Sequence, residues 1–313
     1  MTTLVTGATG RVGRHLVPSL LAHKEKVRAL VRPSSPRPWK GVEYVEGDVS
    51  DKGSLNSAVV DCDTVYHLAA LVSYTAPKSE LWKVNVEGTR NLLEAAQGKK
   101  FIYLSSTGVH GKKLTKQPAD ENEPYRPTDY YGRTKMEAEK LVLAAGGIAL
   151  RATDIYGPGF TEGYDIVFKK ITEGKMMIIG DGKNRLQYLH VNDLVSALVD
   201  AKQHGKPGQA YIVAGRDVRT QEELYGLVAK KLNVAPPAKH VSKKLSLMLM
   251  GVQALKHNIA GGKMKLLPAH IEKLAADRIW NISKAEHELN WHPMIRYEEG
   301  IGEMVVDYLK RVK

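Results

Sequence analysis

Apolar positions in this chain fall into short compact runs and longer, spaced-out segments. The short runs, bounded by turns, read as strands: Leu4-Val5, Lys26-Val27-Arg28-Ala29-Leu30-Val31, Val42-Glu43-Tyr44-Val45, residues 63–70, Phe101-Ile102-Tyr103-Leu104 and Gly147-Ile148-Ala149-Leu150-Arg151. Residues 12–21 and 85–96 carry apolar side chains at helical spacing, and another helix is expected to begin near Asp51. Strand and helix in alternation predict the α/β class, with a doubly wound parallel sheet.

After residue 155 the pattern loosens. Gly157-Pro158-Gly159 is read as a turn that leads out of the sheet towards a smaller lobe, and Met176-Met177-Ile178-Ile179 as a strand within that lobe. Residues 187–194 are read as the start of a helix returning to the sheet, and residues 210–215 as a last strand. Thr220 and Glu223 have the spacing of a capping box. The expected division is residues 1–155 with 187–215 as one domain, and 156–186 with 216–313 as the substrate lobe. Pro236-Pro237 breaks the chain before a Leu- and Met-rich stretch at 245–255, which fits either core packing or a wall of the substrate pocket.

Thr6-Gly7-Ala8-Thr9-Gly10-Arg11-Val12-Gly13 joins the first strand to the first helix. Gly7 permits a tight reversal, Gly10 keeps side-chain atoms away from an approaching pyrophosphate, and Gly13 lets the helix pack close to its strand. A phosphate there would meet unpaired N–H groups at the positive end of the helix. The whole stretch, with Thr6, Thr9, Arg11 and Val12 beside the three glycines, is a candidate dinucleotide-binding turn.

Bulk properties narrow the class. The 313 residues suffice for one large or two modest domains, and the single cysteine, Cys62, excludes a disulfide framework and suits a reducing, cytoplasmic setting. A strand at the very start leaves no room for a signal peptide, and residues 245–252 fall far short of the roughly 20 apolar residues of a membrane span. The net charge of +12 comes from scattered Lys and Arg without a basic block, so nucleic acid is not an expected partner. Attraction to an anionic cofactor or substrate stays open. The eleven His are dispersed without metal-ligand spacing, and no metal is expected.

The G-x-x-G-x-x-G spacing behind a threonine resembles the extended branch of the short-chain dehydrogenase/reductase superfamily, which includes nucleotide-sugar epimerases and dehydratases and 3β-hydroxysteroid- or dihydroflavonol-type reductases. The resemblance runs to the closing segment at 280–293. It implies a Rossmann fold, a nicotinamide cofactor and a small-molecule substrate, and leaves a homodimer open. By resemblance Asp48 and Val49 lie by the adenine, although Asp48 could equally cap the following helix. Leu68, Ala69 and Ala70 lie where ribose and pyrophosphate approach, Asn85 braces the active-site strand, and Asp193 is a structural hydrogen-bonding group. His67 is read as a satisfied core histidine. No acid follows the second strand, where NAD enzymes hold the ribose 2′-OH; Arg32 stands there instead, either as a grip for a 2′-phosphate or as a surface charge. NADP is favoured and NAD remains open.

The chemistry is expected at Ser106, Tyr131 and Lys135. Tyr131 and Lys135 are four apart, hence on one helix face, and Ser106 follows a strand of the parallel sheet. A tyrosine ordinarily titrates near 10; a neighbouring ammonium and a charged nicotinamide favour its phenolate, and roughly three pH units of lowering would take about 4 kcal/mol. Ser106 would position the substrate oxygen and Lys135 would hold the ribose. Ser106 is chosen over Ser105 and Thr107, which stay in contention, because its spacing matches the family pattern; Tyr130 lacks a lysine four residues on and is read as packing. The expected reaction is hydride transfer between nicotinamide and a carbonyl or alcohol carbon. Nucleotide-sugar relatives have an Asn where this chain has Asp154 and an Arg one position from Arg185, so a small or apolar substrate is expected. The rivals are a nucleotide-sugar 4-epimerase or dehydratase, and a non-catalytic dinucleotide-binding scaffold or redox sensor.

Overall fold

The computed structural model describes residues 2–312 apart from 74, 162, 243, 247 and 249–275. Its first strands are those the apolar runs predict, with small shifts at their ends: β1 (Thr2–Thr6), β2 (Lys26–Val31), β3 (Val42–Glu46), β4 (Cys62–His67), β5 (Lys100–Ser106) and β6 (Ile148–Ala152). The short strands β7 (Ile155–Tyr156), β8 (Met177–Ile179), β9 (Arg185–Leu186) and β10 (Leu189–His190) follow, then β11 (Ala210–Val213), β12 (Arg219–Thr220) and β13 (Lys239–Val241). The central sheet has the order β11-β6-β5-β4-β1-β2-β3, and its strand pairs are parallel. The chain winds outward from β1 through β2 to β3, then from β4 in the opposite direction. The carboxyl ends of β1 and β4 therefore flank the switch point where such sheets bind ligands.

Burial explains why the runs are continuously apolar. Leu4 packs on one face of the sheet with Phe101, Tyr103 and Val142, and Val5 on the other with Leu16, Ile102 and Leu198. Both faces are covered, by α1 (Gly13–Ala22) and α7 (Val191–His204) on one side and by α2 (Lys52–Val59), α4 (Gly88–Ala95) and α5 (Tyr130–Ala144) on the other. Each fully buried Val, Leu or Phe contributes about 1.5–3 kcal/mol.

Two expected helices start differently. The segment read as one helix over 85–96 is α3 (Lys78–Trp82), a π-helical turn at Lys83–Glu87, and then α4. In that turn the Asn85 amide accepts from Leu71 N at 2.7 Å and donates to Leu71 O and to Thr134 Oγ1, each at 3.0 Å. The helix expected from 187 begins at Val191, because Leu189 and His190 pair with β7 first. Asp193 accepts from Met294 N and Ile295 N, and its carbonyl accepts from Trp291 Nε1, which docks the closing segment onto α7 in the structural role expected for Asp193.

Outside the central sheet β8 pairs with β13 and β9 with β12, beside α6 (Tyr164–Thr172) and α8 (Gln221–Leu232), and α9 (Ser283–Leu289) and α10 (Tyr297–Val312) follow. Thr220 and Glu223 form the predicted capping box at the start of α8. Of the 245–255 stretch only 245, 246 and 248 are described, with Leu245 44% and Met248 63% exposed; the rest, and with it the choice between core and pocket wall, lies outside the described residues.

Candidate active site

The glycine turn sits at the switch point. Gly7 has φ +70°, and a Cβ there would lie 2.7 Å from Ala69 N; one on Gly13 would lie 2.3 Å from the carbonyls of Gly7 and Ala8. Neither position has room for a side chain. Gly10 N donates to Gly7 O at 2.9 Å and closes the turn, and no side chain caps the start of α1. Val12 is buried under the turn, while Thr9 and Arg11 are half-exposed on it. Leu68 and Ala69 run against the turn, with Leu68 N donating to Thr6 O and Ala69 N to Thr6 Oγ1. Backbone N–H groups, a helix start and a cradle without side chains fit a dinucleotide pyrophosphate. The sequence-predicted turn residues and Leu68, Ala69 and Ala70 are thus brought together.

His67 links the strand leading into this turn to α4. Thr89 Oγ1 donates to Asn85 O, so it accepts from His67 Nε2, and His67 Nδ1 accepts from Thr6 Oγ1. That assignment makes the imidazole neutral with its proton on Nε2. Burial, with the Lys135 charge adding to it, holds His67 down to about 3, in keeping with a satisfied core histidine.

Arg32 is exposed beyond β2, and its side chain has no hydrogen bond or ion pair among the described residues. Asp48 accepts from Ser50 N and Ser50 Oγ, and the cap of α2 is Asp51, which accepts from Gly53 N. The alternative of Asp48 as helix cap is therefore corrected: Asp51 holds that position. Val49 is buried against Gly88, and its carbonyl accepts from Asn91 Nδ2.

The chemical groups converge at the carboxyl end of β5. Ser106 is its last residue and accepts from Gly108 N at 3.0 Å; Ser105 points to the other face, buried, and donates to Glu139, while Thr107 is buried. This placement favours Ser106 over its neighbours as the hydroxyl open to a substrate. Asp129 caps α5 through Gly132 N at 2.7 Å, which sets Tyr131 in the first turn and Lys135 one turn further on. Lys135 is 3% exposed, donates to Leu104 O at 2.6 Å and stands 3.9 Å over the Tyr103 ring. Burial pushes it down to about 7, against the opposing pull of Glu139. Tyr130 faces away, with Lys78 over its ring, consistent with packing.

The sequence reading assigned no role to Tyr125, Glu139 or Arg151, and weighed Ser105 only as a rival of Ser106. The Glu139 carboxylate accepts from Ser105 Oγ, from Tyr125 OH at 2.6 Å, and from Arg151 Nε and Nη2 at 3.0 and 2.8 Å. The one available signal was the four-residue step from Lys135 to Glu139, which puts both on one helix face.

Arg11 packs over the Phe160 ring, and Tyr164 feels both Asp154, which raises its phenol beyond the effect of burial, and Arg11, which lowers it. Arg185 is bound to Asp277 by its backbone N at 2.7 Å and by Nε and Nη2 at 3.2 and 2.9 Å. Among the described residues no group of His, Cys, Asp and Glu could hold a metal ion, and no helix is long and apolar enough to cross a membrane.

The profile of the NAD dependent epimerase/dehydratase family matches residues 3–214. A 3-beta-hydroxysteroid dehydrogenase of Mycolicibacterium neoaurum is 29% identical over 97% of this chain and 90% of its own. Two solved structures, each 22% identical, share the fold. UDP-glucuronic acid 4-epimerase from Bacillus cereus in complex with NAD has a TM-score of 0.78 with both chains fully covered. RMD from Pseudomonas aeruginosa complexed with NADPH has a TM-score of 0.74, covering 98% of this chain and 99% of the other. With its glycine turn, its strand order and a profile match over most of its length, the chain belongs to the NAD dependent epimerase/dehydratase family, the extended branch of the short-chain dehydrogenases/reductases.

Proposed function

We propose that this protein is an NADP-preferring dehydrogenase or reductase acting on a small or apolar alcohol or carbonyl compound that carries no nucleotide. The broader class, an NAD(P)-dependent oxidoreductase, follows from its family membership. Thr6 to Gly13 would hold the pyrophosphate, Asp48 the adenosine end, Arg32 a 2′-phosphate and Lys135 the nicotinamide ribose. The bound nicotinamide supplies the hydride acceptor or donor. Tyr131 takes the hydroxyl proton of an alcohol, or returns it to a carbonyl oxygen, and Ser106 donates a hydrogen bond to that oxygen. Lys135 as an ammonium favours the Tyr131 phenolate.

The observation that carries the substrate reading is the grip of Asp277 on Arg185. The guanidinium nearest the position where nucleotide-sugar relatives recognise a diphosphate already donates through Nε and Nη2 to one oxygen of a carboxylate, Asp277 Oδ2. Arg11 shares its surroundings with Asp154, so that side of the cleft is balanced in charge. A carboxylate 4 Å from a phosphate charge costs about 4 kcal/mol at an effective dielectric of about 20. The mycobacterial relative, named for a hydroxysteroid, supports an apolar alcohol. Calorimetric titration of UDP, GDP and dTDP sugars into the cofactor-loaded protein should show no micromolar binding. Tight binding with turnover of any of them would replace this reading with the epimerase.

Cofactor preference has its own test. The Arg32 side chain, without a partner among the described residues, should make NADPH bind at least about tenfold more tightly than NADH, about 1.4 kcal/mol. Arg32→Ala should erase most of that gap. Equal affinities in the parent protein would count against NADP.

A further inference from the structure

The Glu139 carboxylate is wholly buried and paired with Arg151. One oxygen receives Tyr125 and both Arg151 nitrogens, and the other receives the Ser105 hydroxyl. Ser105 directly precedes Ser106 on β5, and Lys135 lies one turn before Glu139 on α5. We propose that Glu139 is the positioning residue of this centre: it fixes the end of β5 through Ser105 and supplies the negative charge that keeps Lys135 an ammonium. The inference rests on the catalytic reading of Tyr131 and Lys135 given above.

The surroundings of Lys135 leave that role to Glu139. From its own helix Tyr131 and Glu139 face it, from β5 the Tyr103 ring, and from β4 the neutral His67; Arg151 of β6 is turned onto Glu139. Among the described residues Glu139 is the one carboxylate acting on Lys135, and it opposes the pull of burial that brings the amine down to about 7. Neutralising the carboxylate therefore lowers the pH at which Lys135 gives up its proton. The two arms separate chemically, since the Ser105 hydroxyl carries position and the carboxylate carries charge.

The test is NADPH affinity by calorimetry from about pH 6 to about pH 9, together with kcat, for the parent, Glu139→Gln, Glu139→Asp and Ser105→Ala. Affinity in the parent falls as pH rises through Lys135. In Glu139→Gln that fall moves down by about one pH unit, about tenfold weaker binding at a fixed pH on the basic limb. Glu139→Asp restores the limb because it restores the charge. Ser105→Ala leaves the limb in place and lowers kcat severalfold. If the uncompensated Arg151 keeps Glu139→Gln from folding, the double variant Glu139→Gln/Arg151→Met is read for the same shift. A folded Gln variant whose limb stays where the parent's is overturns the proposal. Tyr131→Phe, run alongside, separates the two claims: if it stays active the catalytic reading fails, whereas an inactive Tyr131→Phe beside an unmoved limb defeats only the role of Glu139.

Discussion

Tyr131→Phe lowers kcat by about a thousandfold while leaving the NADPH dissociation constant within about twofold of the parent value. The change removes one hydroxyl from a half-exposed residue in the first turn of α5, and the Asp129 cap that sets this turn stays in place. Thr134 Oγ1 donates to the Tyr131 carbonyl at 2.8 Å, a backbone contact the substitution does not touch. Binding groups on the glycine turn and at Lys135 remain, so what is lost is the transferable proton. Steady-state kinetics with fluorescence titration of the cofactor separates the two quantities, and retained turnover would remove Tyr131 from the mechanism.

Lys135→Met loses at least about a hundredfold in kcat and about tenfold in cofactor affinity, yet raises the stability of the apoprotein by about 1–3 kcal/mol at neutral pH. The amine is 3% exposed, with one carbonyl and one ring face as partners. Its fall from 10.5 to about 7, led by burial, corresponds to several kcal/mol at about 1.4 kcal/mol per pH unit. The sign follows from proton counts. Between about pH 7 and pH 10 the unfolded chain binds a proton at this lysine that the folded chain does not, so the penalty is fully present below about 7 and fades as pH rises. The stability advantage of the Met variant should therefore shrink between neutral and alkaline pH in thermal melts. A variant less stable than the parent at pH 7 would mean that Leu104 O and the Tyr103 ring more than repay the burial.

Much of this site could be read from the residues in order, because its signals are local. The glycine turn has to be glycine where a Cβ would strike backbone, and the four-residue step of Tyr131 and Lys135 becomes a shared face once α5 forms. His67 and Asp193 matched their structural readings for a related reason: strand and helix positions already placed them among neighbours rather than in a cleft. What could not be read depends on contacts far apart in the chain. Helical periodicity does not register the π-turn at Lys83–Glu87, which adjusts the backbone around Asn85 so that its amide reaches Leu71 and Thr134. The pairing of Arg185 with Asp277, 92 residues away, engages a cation whose position alone, one residue off the relatives' Arg, did not show what it binds. Ser105, Tyr125, Glu139 and Arg151 come from a strand, a loop, a helix and a second strand, and only the fold shows that they share one buried carboxylate.

The central claim is net hydride transfer with a released cofactor, carried out by Tyr131 on a substrate without a nucleotide. Its most direct test follows nicotinamide absorbance and product mass together, with a panel of apolar secondary alcohols and ketones that includes a 3β-hydroxysteroid. One cofactor is converted and released for each substrate molecule oxidised or reduced, and none is converted with Tyr131→Phe. Isomerised sugar nucleotide with no net change in the cofactor would contradict it.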